Sequence, residues 1–356
     1  MLAPAFLPVR VEACLPRIAA TVAARVDAWA AAGKVPAWDR EVKDLALQLM
    51  VEVIAGFELT ETQLRELCAD CAAITAGLTF PVPLELFGLT PFGKAMKARR
   101  RVEALLMAQV DRCRSAGGGG GGPPSLLQDM VAARDPLGQP LSDRALKDNF
   151  VGLLVAGHDT TASSLGAALF HLAQAPDALA ALRAEQDAVR ADLGPELTPA
   201  ALARMPFAEA VLREAWRLHP VVPVLGREAN RDVALGGEFG LKAGQRAFVA
   251  LHTVTGACGG AWAGEPEGSS LHLASFAPER WLAGSAEGAA AAAAQMPFGA
   301  GKRSCLGASL AWVEAKAVLA LVARRLAFEV DAKAAKWTSF PFPTVAMDAV
   351  CAARRV

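Results

Sequence analysis

The chain has 356 residues and is 53% apolar, enough to bury a large core in one or two domains. Lysine plus arginine and aspartate plus glutamate balance at 36 each, so no charge bias directs it to nucleic acid or to an anionic membrane. Tyrosine is absent, which excludes a phenol as acid, base or radical relay. In chain order, Val11, Leu15, Ile18, Val22 and Val26 recur at helical spacing and predict a helix over 10–31. Similar patterns predict helices over 39–56 and 61–76, and Pro81, Pro83 and Pro91 break the stretch that follows. A helix over 93–114 carries Arg99-Arg100-Arg101, read as a solvated face. Loops are expected near 115–124, where Gly117 to Gly122 precede two prolines, and at the insert 284–294. A long helix over 142–175 is capped by Ser142, with Asp143 suited to its positive end. Two more helices over 176–191 and 198–218 precede short runs punctuated by Pro220, Pro223, Gly236-Gly237 and Gly244, which predict hairpins between 220 and 250. A last long helix begins just after Cys305 and runs to about Leu326, and a short sheet ends the chain. The fold class is mainly α with a minor β part.

Seven scattered cysteines, an odd number, argue against a secreted disulfide framework and for a reducing compartment. Cys68 and Cys71 form a C-x-x-C pair with no second pair or nearby His, and read as two thiols on one helix. The first residues carry no signal-peptide pattern. The most apolar windows, around 151–170 and 305–328, contain His158 with Asp159 and Glu314 with Lys316, so they read as buried core helices rather than membrane spans.

The strongest chemical signal is Phe298-Gly299-Ala300-Gly301-Lys302-Arg303-Ser304-Cys305-Leu306-Gly307. Its glycines allow a tight turn and let bare backbone pass close to a flat cofactor. Cys305 precedes a helix, where free N–H groups and the positive dipole end favour a thiolate. Arg303 can meet an anionic group two residues from the sulfur. The plain alternative is a Gly-rich turn with a buried, inert cysteine. A Walker phosphate loop is excluded, because Met296 and Arg303 stand where its first Gly and its Ser/Thr belong.

This loop resembles that of the cytochrome P450 family, F-x-x-G-x-R-x-C-x-G, at every fixed position, and Ala311 and Glu314 fit the helix that follows it. The resemblance implies the P450 fold and haem b, with Cys305 as the iron ligand, Phe298, Gly299 and Gly307 around it, and Arg303 on a haem propionate. Thiolate donation favours O–O cleavage. Glu214 and Arg217 share a helix face; with Pro278-Glu279-Arg280-Trp281 they resemble the family's E-x-x-R and P-E-R-[FW] segments, so Glu214, Arg217 and Arg280 are expected to form a structural ion triad. In Ala156-Gly157-His158-Asp159-Thr160-Thr161, an acid beside a hydroxyl in an apolar helix is costly unless hydrogen-bonded. A helix Thr bonding its i−4 carbonyl is the plain reading. The family pattern A-G-x-[DE]-T-[TS] implies that Thr160 assists oxygen activation, Asp159 relays protons, and Ala156 and Gly157 keep the helix slim, with His158 pointing away. Arg227 matches a second propionate-binding position. Val221, Val222, Val224 and Leu225, with Ala156 and Phe340, are expected to line an apolar pocket for a lipophilic substrate, core packing being the alternative.

The resemblance runs the length of the chain but starts after the family's W-x-x-x-R helix, which Leu2-Ala-Pro-Ala-Phe6 would follow. One haem domain over 1–356, incomplete at its N-terminus, is therefore expected, and 256–275 departs from the pattern. The remainder looks most like the eukaryotic microsomal branch that oxidises sterols, retinoids or other isoprenoids on the endoplasmic reticulum. Electrons would come from an NADPH-dependent flavoprotein reductase or a ferredoxin, since no G-x-G-x-x-G lies between a strand and a helix. Three functions follow: an O2-dependent monooxygenase, a hydroperoxide isomerase or dehydratase that needs no external electrons, or an inactive haem-binding remnant. The Asp159–Thr160 pair favours the first over the second.

Overall fold

The computed structural model describes residues 6–115, 125–135, 137–235, 237, 239–251, 275–282, 295–338 and 342–354. The glycine run 117–122, the insert 284–294, Phe340 and nearly all of 256–275 lie outside the described residues.

The first helix, α1 (Pro8–Ala32), buries the apolar stripe predicted for it, from Val11 to Val26, and Trp29 beyond it. A short strand β1 (Lys34–Val35) leads to α2 (Trp38–Gln48). The sequence predicts one helix to residue 56. Instead the last turns widen into a π turn over Leu49–Ile54, in which the Ala55 N–H donates to the Met50 carbonyl at 2.9 Å and the Phe57 N–H to the Val51 carbonyl at 2.9 Å. Arg17 of α1 donates to the carbonyls of Glu52 and Val53, which the widened turn leaves without helical partners.

Helix α3 (Glu61–Leu78) opens with a capping box between Thr60 and Gln63 and packs against α4 (Pro91–Ser115). The arginine run of α4 is spent on ion pairs: Arg99 with Glu103 and Asp148, Arg100 with Glu85, and Arg101 with Asp70. Cys68 and Cys71 are free thiols on α3, and burial pushes both above their ordinary range.

After α5 (Leu126–Ala132), the 32-residue α6 (Asp143–Gln174) crosses the core, capped by Ser142, whose hydroxyl accepts from the Ala145 N–H at 3.2 Å. It contacts α2, α4 and three helices that follow: α7 (Pro176–Leu193), α9 (Pro206–Leu218) and α10 (Ala308–Arg325). The helix predicted over 198–218 is two, α8 (Pro199–Ala203) and α9, because Pro206 keeps Met205 out of helical conformation at φ −118°, ψ 63°.

The strands are short and peripheral. β2 (Val224–Glu228) pairs antiparallel with β5 (Arg246–Ala250), and β3 (Val233–Leu235) with β4 (Phe239–Leu241), as hairpin signals predict. β6 (Leu326–Val330) and β9 (Ala349–Ala353) join β1 in a three-stranded sheet of order β1-β9-β6, and β7 (Lys336–Thr338) pairs with β8 (Thr344–Ala346). No single described helix is long and apolar enough to cross a membrane. α6 is instead buried among its neighbours.

Candidate active site

A cavity of about 340 Å³ opens between the middle of α6 and the loop that carries Cys305. Its walls are mostly apolar. Ala156, Gly157, Thr160, Thr161 and Ser164 come from α6, and Met50 comes from the π turn. Phe298, Gly299, Arg303, Cys305 and Gly307 come from the loop.

The loop owes its shape to its glycines. Gly299 and Gly301 take φ of +68° and +71°, a region that strains other residues. The Cys305 N–H donates to the Phe298 carbonyl at 2.8 Å, which folds the loop back on itself. Phe298 meets Trp216 edge-on at 5.2 Å between ring centres, and Trp216 meets Trp312 at 4.6 Å. Arg213 lies 5.3 Å from the Trp312 ring centre, a cation–π contact that closes the brace. Neither tryptophan is named in the loop motif. Only their spacing, two residues after Glu214 and seven after Cys305, marks them in the sequence.

The sequence predicts a thiolate at Cys305 from the helix dipole. In the polypeptide alone, burial pushes the thiol up, and the Gly307 N–H offsets this only in part. The helix begins at Ala308, so the sulfur stands outside its first turn, where the dipole acts weakly.

Behind the loop lies the ion triad. Glu214, Arg217 and Arg280 are all 1% exposed or less. Glu214 accepts from Arg217 Nε and Nη2 at 2.8 Å each, from Arg280 Nε at 3.3 Å, from Trp281 Nε1 at 2.8 Å and from the Ala277 N–H at 3.0 Å. Burial alone would push its carboxyl up, but these bonds and the two guanidinium charges hold it below the usual range.

The α6 residues divide. Thr160 faces the cavity, with its hydroxyl donating to the Ala156 carbonyl at 2.5 Å, the plain i−4 bond that the sequence allows. Asp159 is not on the cavity wall. Its Oδ2 accepts from Thr75 of α3 at 2.6 Å, on the side that a helix turns away one residue earlier. His158 also faces away from the cavity, buried, with neither ring nitrogen hydrogen-bonded among the described residues. A carboxyl that does line the cavity, Glu314 of α10, has no partner for its Oε1 among the described residues, and burial pushes it up to about 8.

The predicted pocket residues divide as well. Ala156, Val221, Val222 and Leu225 line the cavity. Val224 does not and is 46% exposed, because successive strand residues face opposite ways. Arg227 also stands off the wall, exposed, with its guanidinium on the Gly226 carbonyl. Phe340 lies outside the described residues. The residues present fit a haem: a sulfur ligand beside bare glycine backbone, apolar walls and the Arg303 cation at the rim suit a flat apolar macrocycle with acidic side chains.

The cytochrome P450 family model matches residues 57–350. Cytochrome P450 120 of Synechocystis sp. is 30% identical over 347 residues, covering 95% of this chain and 69% of that protein. The self-sufficient cytochrome P450 monooxygenase CYP505AG1 of Oidiodendron maius is 31% identical over 214 residues, 58% of this chain, and this chain spans only 18% of its length. The solved structure of retinoic acid-bound cyanobacterial CYP120A1 superposes with a TM-score of 0.79 at 25% identity, covering 99% of this chain and 77% of that one. These relatives are a cyanobacterial protein and a fungal self-sufficient enzyme, so the expected microsomal branch gains no support. By its family match and its Synechocystis relative, the chain belongs to the cytochrome P450 family.

Proposed function

We propose that this chain is the haem-binding part of a monooxygenase that inserts one oxygen atom from O2 into a lipophilic substrate. The observation that carries the reading is the shared cavity: the Cys305 sulfur and the Thr160 hydroxyl open into one apolar space. A haem held by Cys305, with a propionate toward Arg303, would supply the oxygen-activating chemistry. The chain's own residues bind and exclude. Gly299 and Gly307 let the backbone approach the sulfur's surroundings, the Gly307 N–H favours the thiolate, and the Trp216–Trp312 brace holds Phe298 against the loop. Val221, Val222 and Leu225 keep water from the substrate side, and Thr160 presents a hydroxyl where protons are needed.

An apolar wall with few polar groups supports a lipophilic substrate. The retinoic acid named for the cyanobacterial structure adds a retinoid or related isoprenoid as the first class to test. Electrons would come from a flavoprotein reductase or a ferredoxin. The self-sufficient fungal relatives span far more sequence than this chain, so the donor is tested by adding each separately.

The test is the reduced, carbon monoxide-bound difference spectrum of the haem-loaded chain. The red-shifted Soret band of thiolate ligation supports the reading, and Cys305→Ser should abolish it. A band typical of neutral or histidine ligation, or no haem uptake, overturns it in favour of an inactive remnant. Thr160→Ala should leave haem binding intact and divert reducing equivalents to peroxide.

A further inference from the structure

Two thioethers line the cavity, Met50 from the π turn and Met296 from the stretch before the Cys305 loop. Met50 is 3% exposed, so the cavity is the route by which a small oxidant reaches it. Its sulfur lies against α6 at Gly157, where a Cβ would stand 3.2 Å from Sδ. The glycine leaves the sulfur against bare helix backbone, and Thr160, three residues on, shares that wall. The other described methionines stand elsewhere. Met130, Met205 and Met347 are buried off the cavity wall, and Met96 and Met107 are half-buried on α4.

We propose that Met50 is a modification site: hydrogen peroxide released into the cavity oxidises its thioether to the sulfoxide, which weakens the binding of a lipophilic substrate until a dithiol reductase removes the oxygen. This rests on the monooxygenase reading, whose unproductive turnover supplies the peroxide. The sulfur attacks one peroxide oxygen, and a sulfur–oxygen bond forms as the O–O bond breaks. The other oxygen leaves as water with both peroxide protons. Sulfur gives up two electrons and the peroxide takes them. In the reverse direction the dithiol supplies two electrons and two protons and closes to a disulfide, and the sulfoxide oxygen leaves as water.

The surroundings decide what the added oxygen does. A sulfoxide oxygen is a polar acceptor, costly to bury without a donor. Thr160 already donates to the Ala156 carbonyl at 2.5 Å, and Ser164 to the Thr160 carbonyl at 2.9 Å, so neither hydroxyl of the α6 wall has a proton to offer. The close approach at Gly157 leaves no room for an oxygen on that side. The new oxygen therefore turns into the cavity and is hydrated there. An apolar ligand that fits against a soft, polarizable thioether must then displace water and leave the oxygen unpaired.

The test uses the haem-loaded chain, turned over without substrate by NADPH and an added P450 reductase. Catalase is present to remove peroxide from bulk solution, and a parallel sample without catalase measures the peroxide released. Peptide mass spectrometry should find one added oxygen on Met50 at least about tenfold more often than on Met96 or Met107. The affinity for phenylimidazole, an apolar azole that enters the cavity, should fall about tenfold after turnover and recover with methionine sulfoxide reductase and dithiothreitol. Met50→Leu, which keeps the bulk and removes the sulfur, should hold its affinity through the same treatment. Met50 left unmodified while peroxide is released overturns the proposal, and so does oxidation confined to Met296 or spread evenly over the surface methionines. An equal loss of affinity in Met50→Leu overturns it as well, as does turnover that releases no peroxide. A thiolate-type carbon monoxide band in the starting sample separates these outcomes from failure of the monooxygenase reading, in which that band is absent and both readings fall.

Discussion

Replacing Glu214 by glutamine probes the structure at a densely bonded point. The carboxylate accepts from Arg217, Arg280, Trp281 and the Ala277 N–H, in a place no more than 1% exposed. Glutamine has nearly the same shape but only one accepting oxygen. Its NH2 group must point at an N–H donor, either at Trp281 and Arg217 Nε or at Ala277 and Arg280. Both guanidinium groups then lose the Glu214 charge while staying buried. Breaking a buried pair this way costs about 3–5 kcal/mol, which is a large part of a typical domain's stability. Urea unfolding followed by circular dichroism would measure it, with Trp281→Phe as a milder variant that removes one donor and should cost about 1 kcal/mol. The sign of the pH effect is fixed too. The folded carboxyl is held below its unfolded value, so this stabilisation is complete above the ordinary glutamate range and is lost as pH falls through the folded pKa. A loss under about 1 kcal/mol in Glu214→Gln, with both guanidinium groups still buried, would refute the reasoning.

Three further outcomes follow from other places. His171 is stacked on His219, with their Nε2 atoms 2.9 Å apart, and burial lowers its pKa to about 4. Its unfolded form binds the extra proton first, so stability should fall by up to about 3 kcal/mol as pH drops from about 6.5 to about 4, and the urea midpoint of His171→Gln should vary less over that window. Gly93→Ala would place a Cβ 1.9 Å from the Glu85 carbonyl oxygen, backbone that cannot swing aside, and should lower stability by about 1–3 kcal/mol with faster proteolysis of the 79–90 segment. Gly299→Ala must adopt φ +68° beside Cys305, and should cost about 1–2 kcal/mol and weaken haem retention in a transfer assay to apomyoglobin.

The parts of the fold legible in the sequence are those where one local rule suffices. The stripe of α1, the Ser142 cap and the Cys305 loop each depend on residues close in sequence, and the structure keeps them. The E-x-x-R pair is local as well, but its third member, Arg280, is 66 residues away and was reachable only through the family resemblance. What the sequence could not supply is direction. Asp159 adjoins Thr160, yet a helix turns successive side chains by about 100°, and the Thr75 hydroxyl on another helix receives it. Val224 and Leu225 differ in the same way on a strand. Glu314 fits the motif that follows Cys305, but only the packing of α1, α6 and α10 reveals that its Oε1 has no partner among the described residues. The break at Met205 could have been read from Pro206, whereas the widened turn at Leu49–Ile54 could not, because Leu-Met-Val-Glu-Val-Ile carries no breaker.

That widened turn has a bearing on how this molecule can change over generations. A π turn holds one residue more than the α turn it replaces, so it behaves as an insertion absorbed inside a helix rather than in a loop. Arg17, reaching across from α1, occupies the carbonyls left over. Met50, the second residue of this turn, lines the cavity. Deleting one residue between 49 and 54 would return the segment to an ordinary helix, turn the residues that follow by about 100°, and leave Arg17 without its carbonyl partners. A single-codon deletion here would therefore rearrange the segment that carries Met50, and the arginine on a different helix is what would have to change with it.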